Sequence, residues 1–245
     1  MDDARALADP FQLIALERVD STNDEAKRAA QQGAAHGTVV WAKVQTAGRG
    51  RRGREWISTE GNLHFSVLLD SGEDLSRSSQ LAFVAAIAVR AALAELVPAA
   101  AFQVKWPNDI LCQGRKIVGM LLELSPPWVV LGIGVDIAHA PAPSLYPTIC
   151  LRQLGSGAEP FDVLAGICEH LGTWYARWRR DGFAPIRQAW LADASGLSEP
   201  VIVRLSDGET LEGRFAGLDA EGALLLDKAD GEQKKILAGD VFFPR

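Results

Sequence analysis

The 245-residue sequence contains little cysteine and little histidine, with three cysteines and four histidines. Cys112, Cys150 and Cys168 lie far apart and are odd in number, which argues against a disulfide framework and offers no zinc-ligand spacing. We expect them to be small buried side chains of a protein in a reducing compartment. The histidines share no spacing either, so we interpret them as structural and predict no metal site.

The sequence also lacks an excess of positive charge and a long uninterrupted apolar run. Its net charge of −6 gives no overall basic field that would attract nucleic acid. The N-terminus, MDDARALADPF, is acidic and has no apolar core, unlike a signal peptide. The longest apolar stretch, Leu81–Val97, is interrupted by Arg90 and Glu95, and we expect it to be too polar to span a bilayer. These absences predict a cytoplasmic protein without a membrane or DNA partner.

Several common catalytic motifs are absent as well. The sequence has no G-x-S-x-G, no G-x-x-x-x-G-K-[ST] and no H-E-x-x-H. Serine-triad hydrolysis, P-loop phosphotransfer and zinc-dependent proteolysis are therefore not indicated. Hydrophobic residues make up 48% and charged residues 23%, as in ordinary globular proteins.

The first part of the chain mixes helical and strand patterns. Residues 20–30 (DSTNDEAKRAA) carry a capping-box pattern, with Ser or Thr three positions before an acidic residue, and predict a helix. Thr38–Gln45 and Asn62–Leu69 are predicted strands. Apolar residues all round Ser78–Leu96 predict a buried helix, and Phe161–Arg180 returns to helical period.

Further strands are predicted between the two long helices. They are Phe102–Trp106, a hairpin of Ile110–Cys112 with Lys116–Leu124 around Gln113-Gly114, and a buried strand at Trp128–Ile137. Because these strands are joined mostly by hairpins, we predict an α+β fold with helices on one face of the sheet.

The composition changes near residues 195–200 (SGLSEP), which we interpret as a linker. Beyond it, four short strands are predicted at 201–205, 210–216, 223–226 and 233–237, separated by D-G and E-G turns. Such hairpins in about fifty residues suggest a small β-barrel. We therefore predict a first domain at 1–194 and a second at 195–245.

The most unusual segment is the arginine loop, residues 48–54 (GRGRRGR). Its glycines leave the backbone free, and guanidinium groups bind phosphate or carboxylate bidentately. A mobile cationic loop of this kind can close over a charged ligand and become ordered. A solvated basic loop, or an RGG-type nucleic-acid patch, is the alternative interpretation.

Two further segments put lysine beside groups suited to chemistry. In KWPND (105–109), proline stops a strand and Asn108-Asp109 form a turn, so Asp109 could face a reacting amine or a metal–phosphate pair. In RKIVG (115–119), Lys116 opens a strand, and Gly119 would let a ligand approach the backbone. An Asx-type turn and an exposed hairpin lysine are the structural alternatives.

A fourth segment, GIGVD (132–136), places two glycines inside a buried strand. Glycine there costs stability, so it indicates a bulge or the close approach of another group. The segment does not match G-x-G-x-x-G, so it is weak as a dinucleotide fingerprint.

Taken in order, these segments resemble the biotin protein ligases. The opening S-T-N at 21–23, GRGRRGR, KWPND, RK-x-x-G and G-I-G all occur, from about Leu16 onward, in the order that this family has them. The resemblance implies a mixed β-sheet flanked by helices, of the class II aminoacyl-tRNA synthetase-like or biotin–lipoate ligase type. It also implies a small SH3-like C-terminal barrel.

The resemblance assigns two overlapping sets of site residues. Those expected to bind biotin are Ser21, Thr22, Asn23, Gln45, Arg49, Gly50, Arg51, Lys116 and Gly119. Those expected to bind ATP are Arg51, Arg54, Trp56, Asn108, Lys116 and Asp136. The expected catalytic residues are Lys116, Arg51, Asp109 and Arg54, with Asp109 orienting the incoming carrier lysine or accepting its proton.

The resemblance implies a two-step reaction. The biotin carboxylate attacks the α-phosphate of ATP, with Mg²⁺ supplied through ATP, and the resulting biotinyl-5′-AMP transfers biotin to a lysine of a biotin carboxyl carrier protein. The mixed anhydride hydrolyses readily, so the closed arginine loop must exclude water. A homodimer is compatible with the resemblance.

Two features depart from the family pattern. The G-I-G strand usually ends in asparagine, whereas this chain has Asp136, which when ionised cannot donate to an adenine nitrogen and adds negative charge near phosphate. Regulatory members carry an N-terminal helix-turn-helix, for which the resemblance leaves no room, so DNA repression is not expected.

The alternative interpretations of the sequence are a lipoate ligase or octanoyl transferase, a catalytically inactive relative, and a basic-loop nucleic-acid binder.

Overall fold

The computed structural model describes residues 6–70, 72, 75–142 and 147–244. A seven-stranded mixed sheet organises the first part of the chain, with spatial order β1-β2-β3-β7-β6-β5-β4. Its strands are β1 (Gln12–Val19), β2 (Thr38–Gln45), β3 (Leu63–Asp70), β4 (Phe102–Lys105), β5 (Asp109–Cys112), β6 (Arg115–Ser125) and β7 (Trp128–Val135). β1 pairs with β2 in parallel, and the other neighbouring strands pair antiparallel. This arrangement confirms the predicted α+β class.

Helices cover both faces of this sheet, so the prediction of helices on one face is wrong. They are α1 (Thr22–Gln31), α2 (Gln80–Leu96), α3 (Pro160–Asp181) and α4 (Phe183–Ala192). α2–α4 pack on the face that contains Phe65 and Val67 of β3. α1 lies on the opposite face, over Leu68 and Ser66 of the same strand. Strand alternation explains both contacts, because successive side chains point to opposite faces.

Helix α1 begins where the sequence predicts, but its capping box is not formed. Ser21 is the N-cap residue, yet its side chain makes no capping hydrogen bond. The Thr22 hydroxyl donates to Oε1 of Gln45 instead, at 3.0 Å. Ser21 and Thr22, whose hydroxyls the pattern assigned to the helix terminus, instead line a cavity beside the end of β2.

The helical segment Arg77–Leu96 is long and apolar enough to cross a membrane by length and composition, with a mean hydropathy of 1.5. This corrects the expectation that the stretch is too polar. In the fold, 61% of the window is buried inside the protein, and Leu81, Val84 and Leu93 are part of its core. The apolar composition is thus used in packing against α3, α4 and the sheet.

A five-stranded antiparallel sheet, called here the C-terminal sheet, follows in the order β11-β10-β9-β8-β12. Its strands are β8 (Pro200–Arg204), β9 (Thr210–Leu218), β10 (Leu224–Asp227), β11 (Gln233–Ile236) and β12 (Asp240–Phe242). The sheet fits the expected SH3-like fold and contains one strand, β12, more than predicted.

The hydrophobic core runs continuously from the first sheet into the C-terminal sheet. Trp190 of α4 packs edge-on against Phe215 of β9, with ring centroids 6.4 Å apart. The Trp106 indole donates a hydrogen bond of 3.1 Å to the Gly222 carbonyl. The predicted boundary at 194/195 therefore separates two sheets that share one core.

Candidate active site

A cavity of about 460 Å³ opens on the α1 face of the seven-stranded sheet. It lies between the start of α1, the arginine loop, strands β6 and β7, and β12 of the C-terminal sheet. Every site residue expected from the sequence lines it, namely Ser21, Thr22, Asn23, Gln45, Arg49, Gly50, Arg51, Arg54, Trp56, Asn108, Asp109, Lys116, Gly119 and Asp136. The fold thus gathers these segments at one place, while their individual roles stay predictions.

One end of the cavity is polar and uncharged. Gln45 Oε1 accepts hydrogen bonds from the Thr22 backbone N–H at 2.8 Å and from its hydroxyl at 3.0 Å. The Ser66 hydroxyl lies 2.8 Å from Oγ1 of Thr22 and 2.6 Å from Oδ1 of Asn23. Ser66 is fully buried and was not predicted as a site residue. Donors and acceptors are therefore held in fixed positions by one another before any ligand binds.

The glycine at position 132 is explained by Asn23. A side chain at Gly132 would meet the Asn23 amide group. That amide also donates to Oε2 of Glu123 at 2.6 Å. The predicted close approach to the glycine strand is thus made at this position by a protein side chain.

Trp56 lies over the other glycines of the two central strands. A Cβ at Gly119 would come within 2.7 Å of the indole, and a Cβ at Gly134 would also meet it. The indole N–H donates to Nδ1 of His64 at 3.3 Å. Burial lowers the pKa of His64 to about 4, so the ring is neutral at pH 7 and can accept. With Lys116 Nζ 5.5 Å above the indole, Trp56 forms a flat wall of the cavity.

Asp109 and Lys116 form an ion pair at the edge of the cavity. Lys116 Nζ lies 2.6 Å from Oδ1 of Asp109, and Lys105 Nζ lies 3.9 Å from Oδ2. Burial alone would raise the pKa of Asp109, but Lys116 and Lys105, together with Arg51, hold it below the usual value. The carboxylate is therefore ionised at neutral pH, as a proton acceptor must be.

Side chains of the arginine loop are paired with acidic or polar partners. Arg49 donates to both carboxylate oxygens of Asp24, at 2.5 and 2.7 Å. Arg51 donates to Oδ1 of Asn108 at 3.1 Å and to the Gly239 carbonyl at 3.3 Å. A short 3-10 turn spans residues 51–53 in a segment predicted to be neither helix nor strand. Whether the loop is mobile stays a prediction, since these contacts describe one arrangement of it.

Asp240, which the sequence did not indicate, is the main anionic partner of this loop. Arg54 Nη2 lies 2.9 Å from both carboxylate oxygens, Arg52 lies 3.1 Å away and Arg51 3.7 Å away. Asp240 is buried, lines the cavity and begins β12 of the C-terminal sheet. The C-terminal sheet thus contributes a charged group to the wall of the site.

Asp136, at the end of β7, is buried beside Asn62. The Asn62 amide donates to Oδ1 of Asp136 at 3.3 Å, and its carbonyl oxygen accepts the backbone N–H groups of Ile137, Ala138 and His139, each at 3.0 Å. Burial raises the pKa of Asp136 to about 8. At neutral pH most of this side chain is an uncharged acid that can donate a hydrogen bond, as an asparagine amide does.

Two family models match the chain. Residues 15–136 match the biotin/lipoate A/B protein ligase family, and residues 197–243 match the biotin protein ligase C-terminal domain. The two matched segments include all of the expected site residues as well as Asp240.

Curated relatives agree with these matches. The chain is 41% identical over 240 residues to the biotin–[acetyl-CoA-carboxylase] ligase of Paracoccus denitrificans, covering 93% of this chain and 99% of that protein. It is 36% identical to the bifunctional ligase/repressor BirA of Bacillus subtilis, covering 94% of this chain and 73% of that protein.

A solved structure shares the fold across nearly the whole length. The biotin protein ligase of Aquifex aeolicus, in complex with biotin and ATP, superposes with a TM-score of 0.82 at 30% identity. The comparison covers 94% of this chain and 97% of the other. On these similarities and the shared fold, the chain belongs to the biotin protein ligase family of enzymes.

Proposed function

We propose that this chain joins biotin to ATP as biotinyl-5′-AMP and then transfers biotin to one lysine of a biotin carboxyl carrier domain. The observation that carries this proposal is the composition of the cavity. An uncharged polar end and a cationic end, the latter bordered by the Lys116–Asp109 pair, belong to one continuous space.

The polar end suits the ureido ring of biotin. A ureido group carries two N–H donors and one carbonyl acceptor and requires several partners in a confined pocket. Thr22, Asn23 and Gln45 offer hydroxyl and amide groups that are already oriented, Thr22 and Asn23 by Ser66 and Gln45 by Thr22. The Trp56 indole supplies apolar surface beside them.

The cationic end suits the joining of two anions. A carboxylate attacks the α-phosphate only if both negative charges are offset, and Arg51, Arg54 and Lys116 line this end. In this step the carboxylate oxygen forms a bond to phosphorus, and pyrophosphate leaves. The arginine loop then serves to exclude water from the mixed anhydride.

The second step requires an uncharged amine. A lysine ammonium has an ordinary pKa of about 10.4, so at neutral pH it must lose a proton before it attacks. Asp109 is ionised and lines the cavity, which suits it to accept that proton. The amine then bonds to the biotinyl carbonyl carbon, the bond from that carbon to the phosphate oxygen breaks, and AMP departs.

Mg²⁺ enters this scheme as part of the MgATP substrate. Over residues 6–70, 72, 75–142 and 147–244, no group of three His, Cys, Asp or Glu side chains is arranged to hold a metal ion. Asp109 and Asp240, two carboxylates that line the cavity, are both engaged by lysine or arginine. Phosphate oxygens and water are thus the ligands we assign to the ion.

The three free, buried cysteines fit a cytoplasmic location.

The test supplies the chain with biotin, MgATP and a biotin carboxyl carrier domain, and in parallel with lipoate, MgATP and a lipoyl domain. We expect the mass of the carrier domain to rise by one biotinyl group and the lipoyl domain to stay unmodified. A carrier domain whose lysine is replaced by arginine is the control. Modification of the lipoyl domain in place of the carrier domain would contradict the proposal.

A further inference from the structure

Three cations act on the carboxylate of Asp109, and they differ in whether a ligand in the cavity can contact them. Lys116 and Arg51 line the cavity, so an anionic ligand can contact both. Lys105 is absent from the cavity lining, and its side chain is only 3% exposed. A ligand can therefore change the surroundings of two of these charges and leave the third as it was.

The backbone fixes Lys105 behind Asp109. Lys105 is the last residue of β4 and Asp109 the first of β5, and the two are paired directly across the antiparallel hairpin. Their side chains place Nζ of Lys105 3.9 Å from Oδ2 of Asp109. Lys116 approaches the other oxygen, Oδ1, from β6. The carboxylate thus lies between one lysine inside the fold and one in the cavity.

We propose that Lys105 is a positioning residue for biotin transfer, acting as a counter-ion outside the cavity that keeps Asp109 ionised after substrate anions have engaged Lys116 and Arg51. This inference rests on the proposed function, because it assigns Asp109 to the proton-accepting step. The nearest structural alternative is that Lys105 only stabilises the hairpin.

The charges around Asp109 support the need for such a counter-ion. When phosphate or carboxylate approaches Lys116, part of the positive field that favours the ionised form of Asp109 is offset by the new negative charge. A buried carboxylate without compensation takes up a proton and can no longer act as a base. Lys105 supplies a charge that a ligand in the cavity cannot contact.

The charge state of Lys105 fits this role. Burial lowers its pKa to about 8, while the neighbouring Asp109 raises it, so most of the side chain is protonated at pH 7. Asp240 also raises the pKa of Lys105, and Lys116 and Arg51 lower it. These groups come from β5, β6, the arginine loop and β12, the elements whose charges act on Lys105.

The transfer step can be written around this pair. The carrier ammonium loses two protons in forming the amide, of which Asp109 accepts the first and water the second. The nitrogen bonds to the biotinyl carbon and the carbon–oxygen bond to AMP breaks. Lys105 exchanges no atom in the step, so its removal must act through Asp109.

The experiment compares two nucleophiles in a Lys105→Met variant given biotin and MgATP. Hydroxylamine is uncharged at pH 7 and needs no base, whereas the carrier lysine does. We expect hydroxylamine capture of biotinyl-5′-AMP to stay within about twofold of wild type, while transfer to the carrier domain falls at least about tenfold, because general-base catalysis typically contributes about a hundredfold or more and loss of the counter-ion removes part of it. The acid limb of the transfer pH profile should move to higher pH, since loss of the positive charge raises the pKa of Asp109.

Lys105→Arg, which keeps the charge, should transfer biotin faster than Lys105→Met, and Lys105→Gln should match the methionine variant. Equal loss with both nucleophiles, or loss with neither, would overturn the inference. So would unfolding of both neutral variants, because the charge would then serve the fold. If wild-type protein gives no hydroxylamine-trapped biotinyl product, the proposed function itself fails, and that outcome is distinct from these.

Discussion

Arg54 and Asp240 are joined by hydrogen bonds from a single guanidinium nitrogen to both carboxylate oxygens, each 2.9 Å long. The arginine belongs to the loop over the cavity and the aspartate to the C-terminal sheet. Arg51 and Arg52 reach the same carboxylate. Asp240 is therefore the carboxylate around which three arginines of this loop are arranged.

Replacing Asp240 with asparagine should loosen the arginine loop in the ligand-free protein. Removing a hydrogen bond to a charged group costs about 1.5–3 kcal/mol. This corresponds to a rise of about tenfold or more in the fraction of molecules whose arginine loop is open. Trypsin should then cut after Arg51, Arg52 or Arg54 about tenfold faster, and biotin with MgATP should restore protection. Glu212→Gln, which makes the same charge change at an exposed site of the same sheet, is the control. Trypsin should cleave its arginine loop at the wild-type rate. Unchanged cleavage of the Asp240→Asn loop would refute this expectation.

Replacing Gly134 with alanine should displace Trp56, because the new Cβ meets the indole. We expect adenylate formation to fall by about tenfold or more, since a small misplacement of a positioning group can cost that much. Gly166→Ala in α3 is the control, with its nearest contact at an ordinary 3.7 Å from the Ala92 Cβ. That change should leave adenylate formation intact and add about 0.5–1 kcal/mol of stability. Pyrophosphate release and urea unfolding measure both effects, and equal rates in the two variants would show that Trp56 is not needed at this position.

Asp136 should make the protein less stable as the pH rises towards 8. Burial raises its pKa from 3.8 to about 8, so between these values the folded side chain keeps a proton that the unfolded chain has released. The stabilisation that this proton gives to the folded protein is fully present below the pKa of Asp136 in the unfolded chain. It is lost as the pH rises through the pKa of Asp136 in the folded protein. In Asp136→Asn, urea unfolding should show a weaker decline in this range, and adenylate formation at pH 7 should stay within about threefold, since the amide keeps a neutral donor. An identical pH dependence in both proteins would contradict the assignment.

Replacing Lys116 with alanine should reduce adenylate formation far more than stability. The side chain is partly exposed and lines the cavity, so its removal leaves no large void, and Lys105 still acts as a counter-ion of Asp109, while phosphate loses a cation. We expect a loss of about a hundredfold or more in pyrophosphate release, as for other groups that stabilise developing charge. Lys43→Ala is the matched control, because Lys43 pairs with exposed Glu17 on the outer strands. Near-normal pyrophosphate release by Lys116→Ala would remove Lys116 from the catalytic group.

Local sequence patterns predicted much of the fold because each of these patterns directly causes the local structure that it indicates. The strand at Thr38–Gln45 was predicted with its observed bounds, and the Gln113-Gly114 turn adopts the positive φ angles that a two-residue hairpin requires. β1 was missed because it is a half-exposed edge strand with little apolar alternation. α4 was missed because Pro185 lies in its first turn, where proline is tolerated but reads as a break.

The candidate site was predicted as a set of segments, and its internal contacts were not. Motifs that resemble the family pattern identified Thr22, Arg51 and Lys116 as site residues. All three line the same cavity in the structure. Nothing in the local sequence marked Ser66 or Asp240, because each acts through partners distant along the chain. Such pairings depend on tertiary geometry, which no local periodicity encodes.

The long separation between Arg54 and Asp240 also bears on the order in which the protein is made. The two residues are 186 positions apart, so a ribosome completes the arginine loop well before it supplies the carboxylate that holds the loop. Throughout that interval the guanidinium groups lack this internal partner and are available to other anions in the surroundings. The pairing of the loop with Asp240 is therefore a late event in biosynthesis, formed only when β12 has emerged and joined its sheet.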